Sequence, residues 1–401
     1  MDERLTHVMS RATLTPPRAE AVVDTDAISA NVALIRTHLS PATMLMAVVK
    51  ADGYGHGVLP VARTVLAAGA DWLGVATPDE ALALRAAGIE APLLCWLSVP
   101  GEDATPLVEA GVDISVSASW RLAEVLPAVA IVGRPARVQL KVDTGLSRNG
   151  VTEGELTGLA AELAAAVNAG QVVFTGLWSH LACADEPADP TTDAQLAAFE
   201  RATRVVHAAG LDVPMRHLAN SAAALTRPDT HFDLVRAGIA VYGYSPVRDC
   251  DLGLLPAMTV HARLAAVKHI PAGAGVSYGH AWQAKVDTVI GLVPAGYADG
   301  LPRASSPGAV VSVNGRRVPV VGRVCMDQVV IDLGPGSAEQ PGDDVVLFGA
   351  GPGDPTADDW AAAAGTISYE ILTGIRGRIA RRYVGAYAGA DADAHTTGDG
   401  R

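Results

Sequence analysis

The sequence of 401 residues is 49% hydrophobic and 18% charged, which is typical of a folded globular protein and excludes a disordered one. Its formal net charge of −13 disfavours nucleic acid and anionic membranes as partners, because both attract basic surfaces. No apolar run approaches the roughly 20 residues that a membrane helix needs. Residues 1–17 lack the apolar core of a secretory signal.

The cysteines and histidines form no motif for binding a metal. Four cysteines are scattered along the chain without a Cys-x-x-Cys pair, and no two histidines have the His-Glu-x-x-His spacing. This usage predicts reduced thiols, a cytoplasmic location and no dependence on a metal ion.

Between about residue 20 and residue 245, short apolar runs alternate with alanine-rich helical stretches. Eight runs have the length of buried strands: 45–49, 72–75, 93–97, 112–116, 138–142, 172–178, 215–218 and 232–235. Helical segments such as 78–87 and 153–168 separate them. Strands that alternate with helices pair in parallel, so eight such units predict an α/β fold with an N-terminal (β/α)8 TIM-like barrel over residues 12–250. Periodicity alone leaves a doubly wound open sheet as the alternative.

The sequence changes character after Pro256. Short valine-rich runs are separated by Gly, Pro and Asn-Gly turns, and Asn314-Gly315 between two valine runs predicts a tight hairpin. We therefore expect a C-terminal mostly-β domain over residues 251–388 and a disordered tail over 389–401. The first short apolar run, residues 20–24, could add a strand to either domain.

Polar and basic residues follow several of the predicted barrel strands. In a parallel barrel the C-terminal strand ends face one pocket, so these residues are expected to converge. They are Lys50, Tyr54, Lys141, Arg148, Ser179, His180, Asn220, Ser221, Arg236, Gly238 and Ile239. The excess of positive charge suits an anionic ligand, to which the Ser221 hydroxyl and the backbone amides of Gly238 and Ile239 could donate hydrogen bonds.

Lys50 is one of only four lysines among 30 basic residues. It follows the apolar run 44–49 and precedes the glycine-rich segment 51–57. A lysine can lose its proton and form an imine with a carbonyl compound, whereas a guanidinium stays charged. Two interpretations remain, a surface lysine at a strand end or a point of covalent attachment.

Five segments, in chain order, carry a family resemblance: 47–57 (AVVKADGYGHG), 140–145 (LKVDTG), 217–223 (HLANSAA), 276–279 (VSYG) and 321–327 (VGRVCMD). They closely resemble the bacterial alanine racemases, a fold-type III family that depends on pyridoxal phosphate (PLP). The matches extend over nearly the whole chain. The resemblance implies interconversion of L- and D-alanine, with D-alanine supplied for peptidoglycan, by a homodimer whose active sites are shared between subunits.

The resemblance also implies which groups move protons. Lys50 would bind PLP covalently and act as the base on one face of the substrate Cα, and Tyr278 of the partner subunit would act on the opposite face. Each needs a pKa low enough to exchange protons near neutral pH. His180 and Arg236 would form a hydrogen-bonded network that reaches Tyr278. The Arg236 guanidinium would face the pyridine nitrogen and leave it unprotonated.

The binding residues follow from the same resemblance. Contacts to the PLP phosphate would come from Tyr54, Ser221, Gly238, Ile239 and Tyr369. Arg148 and the backbone of Met326, the latter from the partner subunit, would hold the substrate carboxylate. Tyr297 would act as a gate.

Three further residues lie inside the matching segments. Asn220 and Asp327 are assigned supporting positions. Lys141 is either carbamylated, which would orient Arg148, or a plain ion-pairing lysine.

Three residues depart from the family pattern. Ala237 stands where proline is usual, Gly53 where alanine is common and Trp178 where tyrosine is common. None of them is an assigned acid, base or phosphate ligand. The departures therefore bear on fine specificity and leave the reaction class unchanged.

Two other functions share parts of the pattern. A fold-type III decarboxylase of a basic amino acid would carry an acidic residue where Arg236 stands. A PLP carrier without turnover would resemble the barrel alone and leave residues 251–388 unexplained. Racemisation of serine by the same residues stays open.

Overall fold

The computed structural model describes residues 17–387, which form two compact units. One unit comprises residues 24–256 together with 385–387, and the other comprises residues 17–23 together with 257–384. The first strand of the chain, β1 (Ala19–Asp24), pairs within the second unit.

The first unit is built on eight parallel strands. They are β2 (Met44–Val48), β3 (Trp72–Val75), β4 (Leu93–Cys95), β5 (Asp113–Val116), β6 (Ala136–Lys141), β7 (Val172–Trp178), β8 (Arg216–His217) and β9 (Leu234–Ala237). The sheet order β8-β7-β6-β5-β4-β3-β2-β9 closes them into a nearly complete barrel. At the seam, Asp233 N–H donates to the Arg216 carbonyl and Arg236 N–H donates to the Ala219 carbonyl, each at 3.0 Å. The predicted (β/α)8 barrel is confirmed.

One helix of the first unit precedes β2, and the others follow barrel strands. The helices are α1 (Thr25–Thr37), α2 (Lys50–Tyr54), α3 (Val58–Ala67), α4 (Pro78–Ala86), α5 (Thr105–Glu109), α6 (Ser119–Val132), α7 (Glu153–Asn168), α8 (Thr191–Ala208) and α9 (Ser221–Thr226), with 3-10 segments at Pro228–Thr230 and Ile239–Tyr242. The start of α4 is fixed by a capping box, in which the Thr77 hydroxyl accepts the Glu80 N–H and the Glu80 carboxylate accepts the Thr77 N–H. Pro78 suits the first helical position because it has no N–H to leave unpaired.

The second unit is mostly β-structure. Its later strands are β10 (Met258–Arg263), β11 (Ala266–Ile270), β12 (Gly275–Val276), β13 (Trp282–Gln283), β14 (Thr288–Val293), β15 (Val310–Val313), β16 (Arg316–Val321), β17 (Val329–Gly334), β18 (Asp344–Phe348) and β19 (Ala380–Val384). Nine strands form one sheet in the order β11-β14-β17-β16-β15-β18-β10-β1-β19, and β12 pairs with β13. Two helices, α10 (Ala357–Ala364) and α11 (Ser368–Gly374), and 3-10 segments at Tyr278–His280, Tyr297–Asp299 and Arg303–Ser305 complete the unit.

The predicted hairpin at Asn314-Gly315 is confirmed. Val313 of β15 pairs with Arg316 of β16, and the two turn residues have φ of 50° and 74°. Positive φ at both central positions is what a two-residue hairpin turn requires, and Asn and Gly tolerate it.

The domain boundaries differ from the predicted ones. β1 pairs with β10 over residues 19–23, so the barrel unit starts at residue 24 and not at residue 12. The second division falls between residues 256 and 257, instead of 250 and 251. A strand this short carries no local signal for its partner, which tertiary pairing decides. The tail predicted over residues 389–401 lies outside the described residues.

Part of the core of the first unit is an apolar cluster. A cluster of six buried side chains contains Met46, Trp72, Leu94, Trp178, Met215 and Leu234. Full burial of one such side chain stabilises the fold by about 1.5–3 kcal/mol. In residues 17–387 there is no helix with the length and hydropathy needed to cross a bilayer.

Candidate active site

The chain turns sharply after β2, and Lys50 lies at this turn. In α2, Ala51 and Asp52 have φ of 52° and 54°, and Tyr54 has φ of 52°, so one left-handed turn follows Lys50 directly. Residues other than glycine seldom adopt this conformation without support from their surroundings. Glu80 gives that support, because its Oε1 accepts the Ala51 N–H at 2.7 Å. Lys50 is thereby fixed at the C-terminal end of a barrel strand.

The amine of Lys50 lies in a half-buried, electropositive environment. Its Nζ is 5.9 Å from the ring centroid of Trp96 and 6.0 Å from that of Tyr54. Burial lowers the pKa of Lys50, the charge of Arg148 lowers it further, and the Glu80 carboxylate acts in the opposite direction. A lowered pKa increases the share of neutral amine, which is the nucleophilic form.

Lys141, at the end of β6, is a second lysine with a perturbed pKa. Burial, followed by the charges of Arg236 and Arg148, lowers its pKa to about 7. Its Nζ lies 4.4 Å from a ring centroid of Trp178, and no carboxylate of residues 17–387 forms an ion pair with it. The cations that act on Lys50 and Lys141 therefore gather at one end of the barrel, as the strand-end argument predicted.

Arg236, on β9, is buried and held by hydrogen bonds from two neighbouring strand ends. Its Nη2 donates to the carbonyl of Ser179 at 2.7 Å and to Nδ1 of His180 at 3.2 Å, and its Nη1 donates to Nδ1 of His217 at 3.0 Å. Burial lowers the pKa of Arg236 to about 9, which leaves the guanidinium charged at neutral pH. Burial and the Arg236 charge hold the pKa of His180 well below its usual value, so that imidazole is neutral.

A polar corner lies where α9 begins beside the end of β9. The hydroxyl of Ser221 accepts the Gly238 N–H at 2.8 Å, which leaves the Ser221 O–H able to donate elsewhere. A Cβ on Gly238 would clash with the Tyr54 hydroxyl, so only glycine leaves room here. Asn220 caps α9 by accepting the Ala223 N–H at 3.1 Å. The sequence analysis expected the Gly238 amide to donate to a bound anion, whereas in the structure it donates to the Ser221 hydroxyl.

These residues fit a phosphate-bearing cofactor. Two hydroxyls, of Tyr54 and Ser221, lie beside a glycine that permits close approach, and buried Ile239 begins the adjoining 3-10 segment. Arg236 offers a charged donor deeper in the barrel, and Lys50 supplies an amine of lowered pKa. Among residues 17–387, no cluster of three His, Cys, Asp or Glu side chains could hold a metal ion.

Tyr278 projects from the second unit and is 70% exposed. It follows the strand β12 on a turn in which Ser277, Gly279 and His280 have φ of 62°, 70° and 44°. The Ser277 hydroxyl donates to the Arg323 carbonyl at 2.8 Å, which anchors this turn. The sequence analysis predicted a catalytic role for Tyr278, and its exposed ring is accessible to another chain or to a ligand.

Met326 lies on a loop that is hydrogen-bonded to the 3-10 segment containing Tyr297. Met326 is 53% exposed, and its carbonyl accepts the Ala298 N–H at 2.9 Å. Tyr297 is 41% exposed. Asp327, next to Met326, pairs with Arg378 at 2.7 Å.

Tyr369 lies half-buried on α11 of the second unit. The predicted site residues are thus divided between the units. Lys50, Tyr54, Lys141, Arg148, His180, Asn220, Ser221, Arg236, Gly238 and Ile239 belong to the barrel, and Tyr278, Tyr297, Met326, Asp327 and Tyr369 belong to the second unit.

Comparison with known families accounts for both units. The model of the alanine racemase N-terminal domain matches residues 23–246, and that of the alanine racemase C-terminal domain matches residues 257–383. The chain belongs to the alanine racemase family. The second match begins at residue 257, where the structure also divides.

Individual alanine racemases are similar over nearly their whole length. The alanine racemase of Thermobifida fusca is 53% identical over 370 residues, which are 92% of this chain and 98% of that protein. The alanine racemase structure from D-cycloserine producing Streptomyces lavendulae superimposes with a TM-score of 0.91 at 50% identity, covering 93% of this chain and 98% of that one. The structure from Streptomyces coelicolor A3(2) has a TM-score of 0.89 at 51% identity, with 92% and 98% covered.

Sequence reasoning missed several residues of this candidate site. Glu80 was readable as the third residue of a capping box after Thr77, but its bond to Ala51 depends on tertiary structure. Trp96 follows β4, and nothing in its local sequence marks it as a neighbour of Lys50. His217 lay inside a matching segment without an assigned role, and it is a hydrogen-bond partner of Arg236.

Proposed function

We propose that this protein is a PLP-dependent alanine racemase that interconverts L- and D-alanine. The observation that carries the proposal is a lysine of lowered pKa at a barrel strand end, in a chain similar to alanine racemases over both units. PLP, when bound, would supply an electron-withdrawing ring that stabilises negative charge on the substrate Cα.

Barrel residues would hold this cofactor. Lys50 would bind it covalently through its amine, Tyr54 and Ser221 would donate to its phosphate, and Arg236 would face the ring nitrogen. A guanidinium that stays protonated gives no proton to that nitrogen. Arg236 also disfavours the decarboxylase alternative, in which an acidic residue would stand at this place.

Racemisation needs one acid–base group on each face of the substrate Cα. Lys50 would take or return the proton on one face, and Tyr278 of a second subunit would do so on the other. Arg148 and the Met326 backbone would hold the carboxylate. The exposure of Tyr278 and Met326 supports the proposal that they contribute to the active site of another subunit. The active unit would then be a symmetric homodimer.

The first test compares two lysine variants. Lys50→Ala is expected to lose the visible absorbance of bound PLP and to lower racemase activity by about 10^3-fold or more, because it removes both the attachment point and one base. Lys268→Ala is the matched control, since Lys268 is exposed on β11. A Lys50→Ala protein with full activity would refute the proposal.

A substrate panel separates the alternatives. Racemisation of L-alanine ahead of L-serine supports the proposal, and release of carbon dioxide from lysine or ornithine would favour a decarboxylase. Activity and mass measured over a dilution series test the dimer, because a strictly monomeric active protein contradicts a shared site.

The cellular role rests on the family and stays a prediction. D-alanine for peptidoglycan is tested by rescue of a D-alanine-requiring bacterial strain. The cytoplasmic location is supported by Cys95, Cys183, Cys250 and Cys325, all of which are unpaired thiols.

A further inference from the structure

A chain of buried polar side chains runs from Arg236 through the barrel interior. Arg236 Nη1 donates to Nδ1 of His217 at 3.0 Å, Nε2 of His217 lies 2.7 Å from Oε1 of Gln139, and Nε2 of Gln139 donates to Oδ2 of Asp113 at 3.0 Å. The exposed fractions of these four residues are 4%, 0%, 0% and 1%. They come from four different strands, β9, β8, β6 and β5.

The two ends of this chain fix the direction of every hydrogen bond. A guanidinium can only donate, so Nδ1 of His217 must accept and the proton of that imidazole must lie on Nε2. At the other end Asp113 accepts from the Arg137 guanidinium and from the Thr175 hydroxyl. A carboxylate held in this way can only accept, so the Gln139 amide must donate to it and offer its oxygen to His217.

The surroundings of His217 agree with a neutral ring. Burial and the Arg236 charge hold its pKa well below the usual value. One face of the imidazole stacks on Trp178 with centroids 5.7 Å apart and an angle of 3°. A ring packed in this way has little freedom to rotate, so its tautomer is set by the hydrogen bonds at its edges.

We propose that Gln139 and Asp113 are positioning residues, which hold His217 as the Nε2–H tautomer and so aim Arg236. The tautomer with the proton on Nδ1 would point an N–H at the guanidinium N–H and break the bond. All of these hydrogen bonds lie within the barrel. The effect of the His217 tautomer on catalysis rests on the proposed function, in which Arg236 faces the cofactor ring.

Gln139→Glu gives the sharpest test because it keeps the shape of the side chain. In its protonated form the new carboxyl group offers one donor and one acceptor to these partners, as the amide does, whereas its ionised form places a second carboxylate beside that of Asp113. Burial and this neighbour raise the pKa of the new carboxyl group. The titratable and charged groups that face it are Asp113 and His217 and, through Asp113, Arg137 and Arg85.

The variant is therefore expected to behave like the wild type near pH 6 and to fail as the pH rises. At pH 9 its kcat should fall about tenfold below that of the wild type, the equivalent of one lost hydrogen bond to a charged group, with little change in KM. Thr203→Val, which removes one buried hydrogen bond on α8 to the Phe199 carbonyl, is the matched control. Its ratio to the wild type should be the same at both pH values.

Nitrogen-15 NMR of the PLP-loaded protein with ring-labelled histidine reads the tautomer directly, and His217→Asn assigns the signals. We expect the Nε2–H tautomer in the wild type and in Gln139→Glu near pH 6, where the protonated carboxyl group replaces the amide. A ratio of activities that does not change with pH would overturn the proposal. So would a wild-type His217 with its proton on Nδ1, a result that does not depend on the folding of any variant. A wild type that keeps this tautomer without racemising alanine would refute the proposed function alone.

Discussion

The two units present their predicted site residues in opposite ways. In the barrel, Arg236 and Ser221 are buried and their hydrogen-bond partners are fixed, whereas Tyr278 and Met326 of the second unit are largely exposed. Positioned groups in a buried pocket suit a cofactor, because they need no rearrangement on binding. The comparison therefore predicts that cofactor binding and proton transfer at Tyr278 can be separated by mutation.

The largest separation is expected for Tyr278→Phe. The variant should keep the absorbance of bound PLP, because the proposed covalent and phosphate contacts are barrel residues apart from Tyr369. Racemisation should fall by about 10^2–10^4-fold, the usual contribution of one acid–base group. Tyr387→Phe is the control, since that ring is also exposed on the surface. Equal loss of bound PLP and of activity would contradict the assignment of cofactor binding to the barrel and of proton transfer to Tyr278.

Gly238→Ala should affect the barrel side alone. The added Cβ would clash with the Tyr54 hydroxyl, so one of the two proposed phosphate partners must move. Overpacking of about 1–3 kcal/mol corresponds to PLP binding weaker by about tenfold to a hundredfold, measured by titration of the cofactor-free protein. Gly158→Ala is the matched control, because a Cβ there meets nothing within 4 Å. Unchanged PLP affinity would remove Gly238 from the proposed phosphate site.

Local features of the molecule could be predicted from the sequence, and contacts between distant segments could not. The barrel strands and the residues at their ends follow from local patterns, since apolar runs and strand-end positions are properties of neighbouring residues. The bond that supports the left-handed turn after Lys50 could not be predicted in this way, because it joins Ala51 to Glu80, which is distant in sequence. The chain from Arg236 to Asp113 spans four strands, so no spacing reveals it. The predicted barrel domain included β1 for the same reason.

A smaller effect is expected for Glu80→Gln, which alters the barrel turn and no proposed ligand. The Glu80 charge raises the pKa of Lys50, so its removal should lower that pKa further. The pH dependence of PLP capture by the cofactor-free protein should therefore shift to lower pH. Glu90→Gln is the control, because Glu90 is exposed. A shift to higher pH would contradict the assigned electrostatics.

The smallest change concerns the chemical state of Lys141, for which the sequence left carbamylation and a plain ion pair open. With a pKa of about 7, its amine is half neutral at that pH, and the neutral share rises as the pH increases. The neutral amine is the form that adds carbon dioxide, and the carbamate would carry a negative charge toward Arg148 and Arg236. We expect carbon-13 bicarbonate to give a carbamate NMR signal that grows from about pH 6 to about pH 8, following that titration. The signal should persist in the control Lys268→Gln and vanish in Lys141→Gln. A signal that survives in Lys141→Gln would assign the carbamate to another amine and leave Lys141 a plain cation.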